Sequence, residues 1–280
     1  MGLPTDSHVH SQFSWDARLV GTMEGICVRA VDIGLPAVAF TEHVDHTVWT
    51  VDAEELAKGG FLATVAGPDG RLTPPPFDEF GYWESIEHCR EKFPSLQILS
   101  GVEMGEPHLH TEALANILAT GKFDRVLGSL HCLPDRGGYA EPAGLFGHRA
   151  AAEVVRDYLT EVAVLVTQSD AFTVLAHIDF PVRSWPTEAG PFDPHAFEED
   201  FRHALRLLAD SGRALEVNTA VPLNSQIVRW WREEGGTAIT FGSDAHEPAE
   251  LARGFGAAVD MVEAHGFRPG RNPHDYWIAP

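Results

Sequence analysis

Histidine and acidic residues recur at the ends of short apolar runs in this 280-residue sequence. The sequence contains 15 histidines, and the first pair is His8-Val9-His10. Residues two apart on a β-strand point to the same face, so His8 and His10 can bind one metal ion together. Alone, this pair is weak evidence for a metal site, because two polar residues on an exposed strand edge can have the same spacing. It gains weight if other candidate ligands lie at equivalent positions.

Six further runs end in the same way. The residues at their ends are of types that bind transition metals: Glu42 and His43, Glu103, His131, His177, Glu216, and Asp244 with His246. Neutral imidazole with carboxylate suits zinc, manganese or iron, whereas an all-oxygen set would favour magnesium or calcium. There are more candidates than one ion needs. The sequence therefore predicts a site for two or three divalent transition-metal ions.

The apolar runs are short and β-like, and a helical pattern follows each of them. We predict strands at 4–9, 37–41, 97–103, 125–130, 173–178, 214–218 and 238–242. We predict helices at 22–33, 80–93, 111–119, 150–167, 194–209, 225–234 and 250–265. This alternation favours parallel strands linked by crossover helices. The carboxyl ends of such strands meet at one mouth of an α/β barrel, which would bring the candidate ligands together.

A single domain is expected, because α/β barrels commonly run to about 250 residues as one unit. Neither an internal repeat nor a linker is evident, so we assign residues 1–280 to one domain. The segment 59–76 is rich in glycine and proline. This composition predicts a long loop over one face, of the kind that forms lids or pockets.

Charge and cysteine content narrow the possible partners and compartment. The chain has 20 lysine and arginine residues against 41 aspartate and glutamate residues, a formal net charge of −21. Such a surface repels nucleic acid. Cys27, Cys89 and Cys132 are too few and too scattered for a disulfide framework, which fits a reducing compartment. With neither a signal-peptide pattern nor an apolar stretch of membrane length, the sequence predicts a cytoplasmic protein without membrane contact.

In their order along the chain, the motifs resemble those of the polymerase and histidinol phosphatase (PHP) superfamily. The matching segments are Asp6-Ser7-His8-Val9-His10, Thr41-Glu42-His43, Gly101-Val102-Glu103, Gly128-Ser129-Leu130-His131, Ala176-His177-Ile178-Asp179 and Gly242-Ser243-Asp244-Ala245-His246. No single motif is specific, but the ordered set is. The resemblance implies a distorted (β/α)7 barrel, similar to a TIM barrel, with a trinuclear metal site at the C-terminal ends of its strands.

The resemblance also implies how the ligands divide among three positions. The first position would take His8, His10, Glu103 and Asp244, the second Glu103, His131 and His177, and the third Asp16, His43 and His246. Glu103 would thus bridge two ions. Asp16, six residues after His10, resembles the histidinol-phosphatase branch. Glu42 is a further candidate ligand, and Glu216 either binds a metal or orients a residue that does.

This branch implies hydrolysis of a small phosphate monoester such as histidinol phosphate, by a hydroxide that bridges two metal ions. Asp244 or His246 could relay a proton to the leaving group. Arg183 is the counterpart of an arginine that binds phosphate in the branch. A second arginine, expected shortly after the sixth strand, is absent, and the first one there is Arg229. Either Arg183 and Arg229 contact phosphate instead, or the substrate differs.

Two other classes of function share these motifs. The same site could hydrolyse a phosphodiester, a nucleotide or a specialised metabolite. Alternatively, the chain could be a regulatory module that kept the fold without catalysis. The intact ligand set argues against a regulatory module, because loss of catalysis usually removes several ligands.

Overall fold

The computed structural model describes residues 2–17 and 21–279. Its strands are β1 (Asp6–Val9), β2 (Ala37–Val44), β3 (Trp49–Thr50), β4 (Arg71–Leu72), β5 (Gln97–Gly105), β6 (Arg125–Ser129), β7 (Leu133–Asp135), β8 (Gly138–Ala140), β9 (Val174–Leu175), β10 (Ala214–Asn218), β11 (Ala238–Gly242) and β12 (Trp277–Ile278). Its α-helices are α1 (Met23–Asp32), α2 (Ala53–Ala57), α3 (Phe61–Val65), α4 (Glu79–Lys92), α5 (Thr111–Leu118), α6 (Pro142–Leu145), α7 (Ala151–Gln168), α8 (Glu198–Asp210), α9 (Ser225–Glu233) and α10 (Phe255–Ala264).

Eight strands form one curled sheet in the order β1-β2-β5-β6-β9-β10-β11-β12. The first seven run parallel to their neighbours, and β12 pairs antiparallel with β11 at the edge. The curl brings β1 beside the end of β11, where the backbone N–H of His10 donates to the carbonyl of Ala245 over 2.9 Å. The N–H of Asp244 donates to the carbonyl of His8 over 2.8 Å. The carboxyl ends of the parallel strands therefore surround a common centre.

Each of the seven predicted runs contains a strand, although the lengths differ. β2 and β5 continue to Val44 and Gly105, because their pairing persists through His43 opposite Glu103. Conversely, the predicted strand 173–178 contains only the two residues of β9. It ends early because the backbone at His177 turns into the left-handed region, with φ of 22°. The two-residue β12 was not predicted, since so short a segment carries no periodicity.

The seven predicted helices are also present, with two altered at their starts. The predicted helix 194–209 begins as a 3-10 turn (Pro194–Phe197) before α8. The predicted helix 250–265 is interrupted, because Ala252 and Gly254 adopt φ of 56° and 71° and α10 begins only at Phe255. A left-handed backbone cannot continue a right-handed helix.

The prediction that 59–76 is an irregular loop is wrong in part. The segment contains helix α3 and strand β4, and β4 pairs antiparallel with β3. A helix of five residues, which starts after Gly60 without a side-chain cap, carries too little periodicity to be recognised. The expectation that this segment contributes to a pocket holds, since Phe61 and Leu62 of α3 line the cavity beside the candidate metal centre, described below.

Alternation along the strands separates the core from the candidate site. Val9 belongs to an apolar cluster that joins β1, β2 and β5 to helices α1, α4 and α5, whereas His8 and His10 on either side point the other way. Val102 lies in the same apolar cluster beside the inward Glu103. A second apolar cluster joins β9, β10 and β11 to α7, α8, α9 and α10. None of the helices in the described part of the chain has the length and apolar character that a membrane span requires.

Candidate metal centre

The predicted ligands converge on one cluster at the carboxyl ends of the strands. Nine of them lie in it: His8, His10, Asp16, His43, Glu103, His131, His177, Asp244 and His246. Within this cluster, four sets of three residues each have potential ligand atoms within 4.8 Å of one another. Residues separated by more than two hundred positions in sequence are thus neighbours, as the strand-end pattern predicted.

The ring nitrogens and carboxylate oxygens around His8 and His10 have distances typical of ligands that share one metal ion. His8 Nε2 lies 3.0 Å from His10 Nε2 and 3.1 Å from Glu103 Oε2. Asp244 Oδ1 lies 3.1 Å from His10 Nε2 and 3.6 Å from His8 Nε2. Tetrahedral bonds of about 2.05 Å would put neighbouring ligand atoms roughly 3.3 Å apart. The separations of His8 and His10 from each other, from Glu103 and from Asp244 are therefore close to those between neighbouring ligands of one ion.

Glu103 faces two groups of histidines with different oxygens. Its Oε2 faces His8 and also lies 3.1 Å from His43 Nδ1. Its Oε1 lies 2.7 Å from His177 Nε2 and 3.2 Å from His131 Nε2. A carboxylate with this arrangement is placed to bridge two cations.

Asp16, His43 and His246 form a third group at the edge of the cluster. Asp16 Oδ2 lies 3.0 Å from His246 Nε2 and 3.3 Å from His43 Nε2. The rings of His43 and His246 each stack on the ring of His10, at centroid distances of 4.2 and 4.3 Å. This group borders the first group and has the composition that the motifs implied.

Several histidines of the cluster are oriented by a partner on the ring nitrogen that faces away from it. Glu216 Oε1 lies 2.6 Å from His8 Nδ1, and Asp45 Oδ1 lies 3.2 Å from His131 Nδ1. His246 Nδ1 donates to the backbone carbonyl of Asp244 over 3.0 Å. Such partners orient each ring and hold a proton on Nδ1, so that Nε2 faces the cluster.

The structure does not place Glu42 or Glu216 among the facing ligand atoms. Both oxygens of Glu42 are engaged by Ser11 and Ser14, at distances from 2.5 to 2.8 Å. The two carboxylate oxygens of Glu216 are also engaged. Oε1 contacts the His8 ring, and Oε2 accepts the backbone N–H of His177 over 2.8 Å. This geometry corrects the expectation that Glu42 is a metal ligand. For Glu216, the contacts match a residue that orients a ligand and not one that binds the metal.

Buried polar atoms without hydrogen bonds mark the cluster as fit for cations. Across residues 2–17 and 21–279, four such atoms belong to it: Asp16 Oδ1, His43 Nδ1, Glu103 Oε2 and His177 Nδ1. His43 Nδ1 and Glu103 Oε2 are only 3.1 Å apart but lack the alignment of a hydrogen bond. Buried polar atoms normally have a partner. These four atoms therefore have lone pairs or protons without a protein partner, which suits a site that binds cations.

The charges in the cluster are strongly coupled. Burial opposes protonation of His8, but the carboxylates of Glu216 and Glu103 outweigh it and raise the pKa of His8 well above its ordinary value. Burial and the neighbouring His43 and His246 lower the pKa of His10 to about 3. Burial would raise the pKa of Glu103, yet the surrounding histidines hold it well below the usual range. Glu103 is therefore ionised and His10 neutral at physiological pH.

Backbone strain and close packing surround the ligands. Asp244 adopts φ of 55°, and this conformation turns its side chain back from the end of β11 into the cluster. Such non-glycine outliers cost about 1–3 kcal/mol and concentrate at functional sites. Gly242, two residues earlier, lies so close to Glu216 that an added Cβ would stand 2.0 Å from its Oε1. Only glycine leaves room there for the carboxylate that orients His8.

A cavity of about 300 Å³ adjoins the cluster. Of the nine clustered residues, Asp16, His43, Glu103, His131, His177, Asp244 and His246 line it. Part of the remaining wall is apolar and is formed by Trp15, Trp49, Phe61, Leu62 and Phe180. The cavity can therefore hold a small organic molecule with one end against the cluster.

The two predicted phosphate-binding arginines differ in position. Arg183 lines the cavity, forms an ion pair with Asp244 and lies over the Phe180 ring at 4.9 Å. Arg229 lies on α9 with 60% of its side chain exposed, and it pairs with Glu233 over 2.8 Å. The cavity wall does not include Arg229. The structure thus brings only Arg183 of this pair to the site.

Three carboxylates of the cavity wall were not predicted from the sequence: Asp45, Glu106 and Glu141. Asp45 follows His43 by two residues, so strand alternation could have identified it. Glu106 accepts the backbone N–H groups of His131 and Cys132 over 2.6 and 2.9 Å and holds that turn. Burial raises the pKa of Glu141 to about 7, and this residue lies outside every predicted strand.

A curled parallel sheet with histidines and carboxylates clustered at its strand ends is typical of metal-binding α/β domains. Comparison with known families shows to which of them this chain belongs. The chain belongs to the PHP family, since the PHP domain model matches residues 6–220. The resemblance recognised in the motifs is thereby confirmed.

Individual relatives narrow the comparison within this family. The chain is 25% identical over 275 residues to a probable histidinol-phosphatase of Clostridium acetobutylicum, with 94% of each chain covered. It is 24% identical over 270 residues to the histidinol-phosphatase of Lactococcus lactis, covering 94% of this chain and 91% of the relative. These names bear out the prediction of a phosphatase-type enzyme.

A solved structure supports the fold. The crystal structure of histidinol phosphate phosphatase from Lactococcus lactis, in complex with zinc, L-histidinol and phosphate, matches with a TM-score of 0.79. It is 20% identical in sequence, with 99% of both chains covered. The α/β fold with a curled sheet is thus shared over essentially the whole chain.

Proposed function

We propose that this chain is a metal-dependent phosphoesterase that hydrolyses a small phosphate monoester, with histidinol phosphate as the first candidate. The observation that carries the proposal is Glu103, whose two oxygens face separate groups of histidines beside a cavity that also contains Arg183. The names of the relatives, and the zinc, histidinol and phosphate in the solved neighbour, support the same substrate class. The curled parallel sheet is consistent with a distorted (β/α)7 barrel as a single domain.

Two or three divalent transition-metal ions fit the donor set, with zinc favoured and manganese and iron as alternatives. His8, His10, Glu103 and Asp244 would hold the first, Glu103, His131 and His177 the second, and Asp16, His43 and His246 the third. When bound, such ions lower the pKa of water to roughly 7 and neutralise charge on a phosphoryl group. The attack by a hydroxide shared between two ions stays a prediction.

Arg183 would bind the phosphate beside the cluster. Its guanidinium already pairs with Asp244, a candidate ligand, and it is the arginine of the predicted pair that lines the cavity. A planar guanidinium suits two phosphate oxygens at once. Because Arg229 lies elsewhere, contact with phosphate would rest on Arg183 and the bound cations.

Asp244 and His246 are the two candidates for relaying a proton to the leaving group. Burial would raise the pKa of Asp244, but Arg183 and His8 hold it well below the usual range, so this residue is ionised. The His246 side chain is 27% exposed and lines the cavity. Its Nδ1 donates to the Asp244 carbonyl and its Nε2 faces Asp16. With Nε2 in the ligand role proposed above, the ring has no free proton, so proton relay by either residue stays a prediction.

The test is a comparison of phosphate release from histidinol phosphate, other small monoesters, a nucleotide and a diester. We expect release from at least one monoester, its loss on chelation and its return with zinc, manganese or iron. Metal quantification should give two to three ions per chain. Faster turnover of the diester would favour the phosphodiesterase alternative, and absence of metal-dependent turnover with any substrate would favour a regulatory module.

A further inference from the structure

Ser14 and Glu42 lie behind His10, on the side opposite the other candidate ligands. Ser14 Oγ lies 2.9 Å from His10 Nδ1 and donates to Glu42 Oε2 over 2.6 Å. It also accepts the backbone N–H of His43 over 3.0 Å. Ser14, Glu42 and His10 are fully buried, so water does not compete for these contacts.

The hydrogen atoms in this group can be counted. A serine hydroxyl has one proton to donate, and its oxygen accepts with two lone pairs. Glu42 Oε2 accepts the backbone N–H of Ser11 over 2.8 Å, so this oxygen acts as an acceptor, and the Ser14 proton is used in the 2.6 Å contact with it. The N–H of His43 takes one lone pair of the Ser14 oxygen. The other lone pair must then accept a proton that His10 carries on Nδ1.

We propose that Ser14, held by Glu42, is a positioning residue that fixes His10 as the Nδ1-protonated tautomer and so presents the bare Nε2 to the metal centre. The inference rests on the proposed metal site. It assigns Glu42 a role through Ser14 instead of direct ligation. The chain of contacts runs from carboxylate to hydroxyl to imidazole.

The serine between carboxylate and imidazole distinguishes His10 from its neighbours. In His8 and His131 the outward nitrogen faces a carboxylate directly, at 2.6 and 3.2 Å. A directly bonded carboxylate favours the positively charged ring, whereas a neutral hydroxyl acceptor fixes the tautomer without adding that charge.

The direct test is ¹⁵N NMR of the histidine side chains in metal-free protein, with the His10 signals assigned by their absence in His10→Ala. We expect the His10 pattern of a neutral ring that is protonated on Nδ1. A His10 ring protonated on Nε2, or in equal exchange between the two tautomers, would overturn the proposal. This measurement uses the wild-type chain, so it stands even if a variant fails to fold.

Ser14→Ala and Ser11→Ala provide a matched pair of variants. Both serines are buried and both donate to Glu42, Ser11 over 2.5 Å, but the hydrogen bond of the His10 ring is to Ser14 and not to Ser11. Loss of such an outer partner weakens metal binding about 10–100-fold. We therefore expect Ser14→Ala to weaken zinc affinity by this factor in chelator competition, with mixed His10 tautomers, and Ser11→Ala to remain close to wild type.

Equal zinc affinities for the two variants would contradict the assignment to Ser14. A wild-type protein that binds no zinc, manganese or iron would refute the proposed function instead. The His10 tautomer in the metal-free protein would still decide the positioning role in that case.

Discussion

Replacement of Glu103 by glutamine tests whether one carboxylate connects two metal positions. The substitution keeps the side-chain volume but removes the negative charge and turns one oxygen into an amide nitrogen. Ser129 Oγ donates to Oε1 over 2.5 Å, which holds the remaining carbonyl oxygen on that side. The amide nitrogen then replaces Oε2, the atom that faces His8 and His43.

The magnitude follows from this asymmetry. An amide nitrogen donates hydrogen bonds and cannot bind a cation, so the first position loses a ligand and both positions lose a charge. Loss of an outer partner alone reduces metal affinity about 10–100-fold. Loss of a direct ligand should exceed this, which gives a reduction of more than about 100-fold at the first position, or at least about 2.8 kcal/mol. A smaller reduction is expected at the second position.

Glu216→Gln is the matched control, because Glu216 is equally buried and contacts His8 only on its outward nitrogen. Zinc content after dialysis against graded chelator concentrations would give the affinities, and anomalous diffraction would locate the ions. Glu103→Gln should disturb two positions, and Glu216→Gln mainly the first. Wild-type zinc content in Glu103→Gln, or a loss confined to one position as in the control, would refute the bridging role.

Three further predictions concern phosphate binding, pH and packing. Arg183→Ala should raise KM more than it lowers kcat, and Arg183→Lys should recover part of the loss. Arg229→Ala should leave both constants unchanged. Unaltered KM and kcat in Arg183→Ala would exclude Arg183 from the site. In metal-free protein, nearby carboxylates outweigh burial and raise the pKa of His43 from 6.5 to about 10. The protonated His43 ring therefore stabilises the folded state fully below pH 6.5, and this contribution is lost as the pH rises towards 10. The Tm of the metal-free protein should fall over that range. A Tm that rises would contradict the charge assignment. Gly242→Ala should destabilise by about 1–3 kcal/mol in denaturant unfolding, since its Cβ would lie 2.0 Å from a carboxylate oxygen, whereas Gly256→Ala, with nothing within 4 Å, should not.

Much of the cluster could be predicted because strand geometry imposes it. His8 and His10 flank the core residue Val9, and Glu103 sits between the core residues Val102 and Met104. Period-two alternation therefore fixes which side chains face the centre. The same rule could have separated Glu42 from His43, since adjacent strand residues point to opposite faces. Glu42 instead contacts Ser11 and Ser14.

The sequence predicts on which face of a strand a side chain lies better than how far that side chain lies from the carboxyl end of the strand. Glu216 and Asn218 share one face of β10, and Asn218 Nδ2 contacts Asp244 Oδ2 at 3.4 Å. At about 3.3 Å per residue, Glu216 lies roughly 6.6 Å further from the carboxyl end, which places it behind His8. Whether an acidic residue binds a metal or orients a ligand thus depends on strand stagger, which pattern alone does not supply. The same holds for Arg229, whose outward position depends on the rotation of α9.

The cluster also depends on contacts between the two ends of the chain. Asp6 in β1 accepts the backbone N–H and the hydroxyl of Ser243 over 2.9 and 2.5 Å, and the N–H of Ala252 over 2.9 Å. Asp244, the next residue after Ser243, has a left-handed backbone that is unfavourable in isolation. The contacts from Asp6 hold the preceding residue, while the carbonyl of His8 holds the N–H of Asp244 itself. The first candidate metal position is therefore completed only when β1 and the end of β11 come together, so closure of the sheet and assembly of the site are the same event.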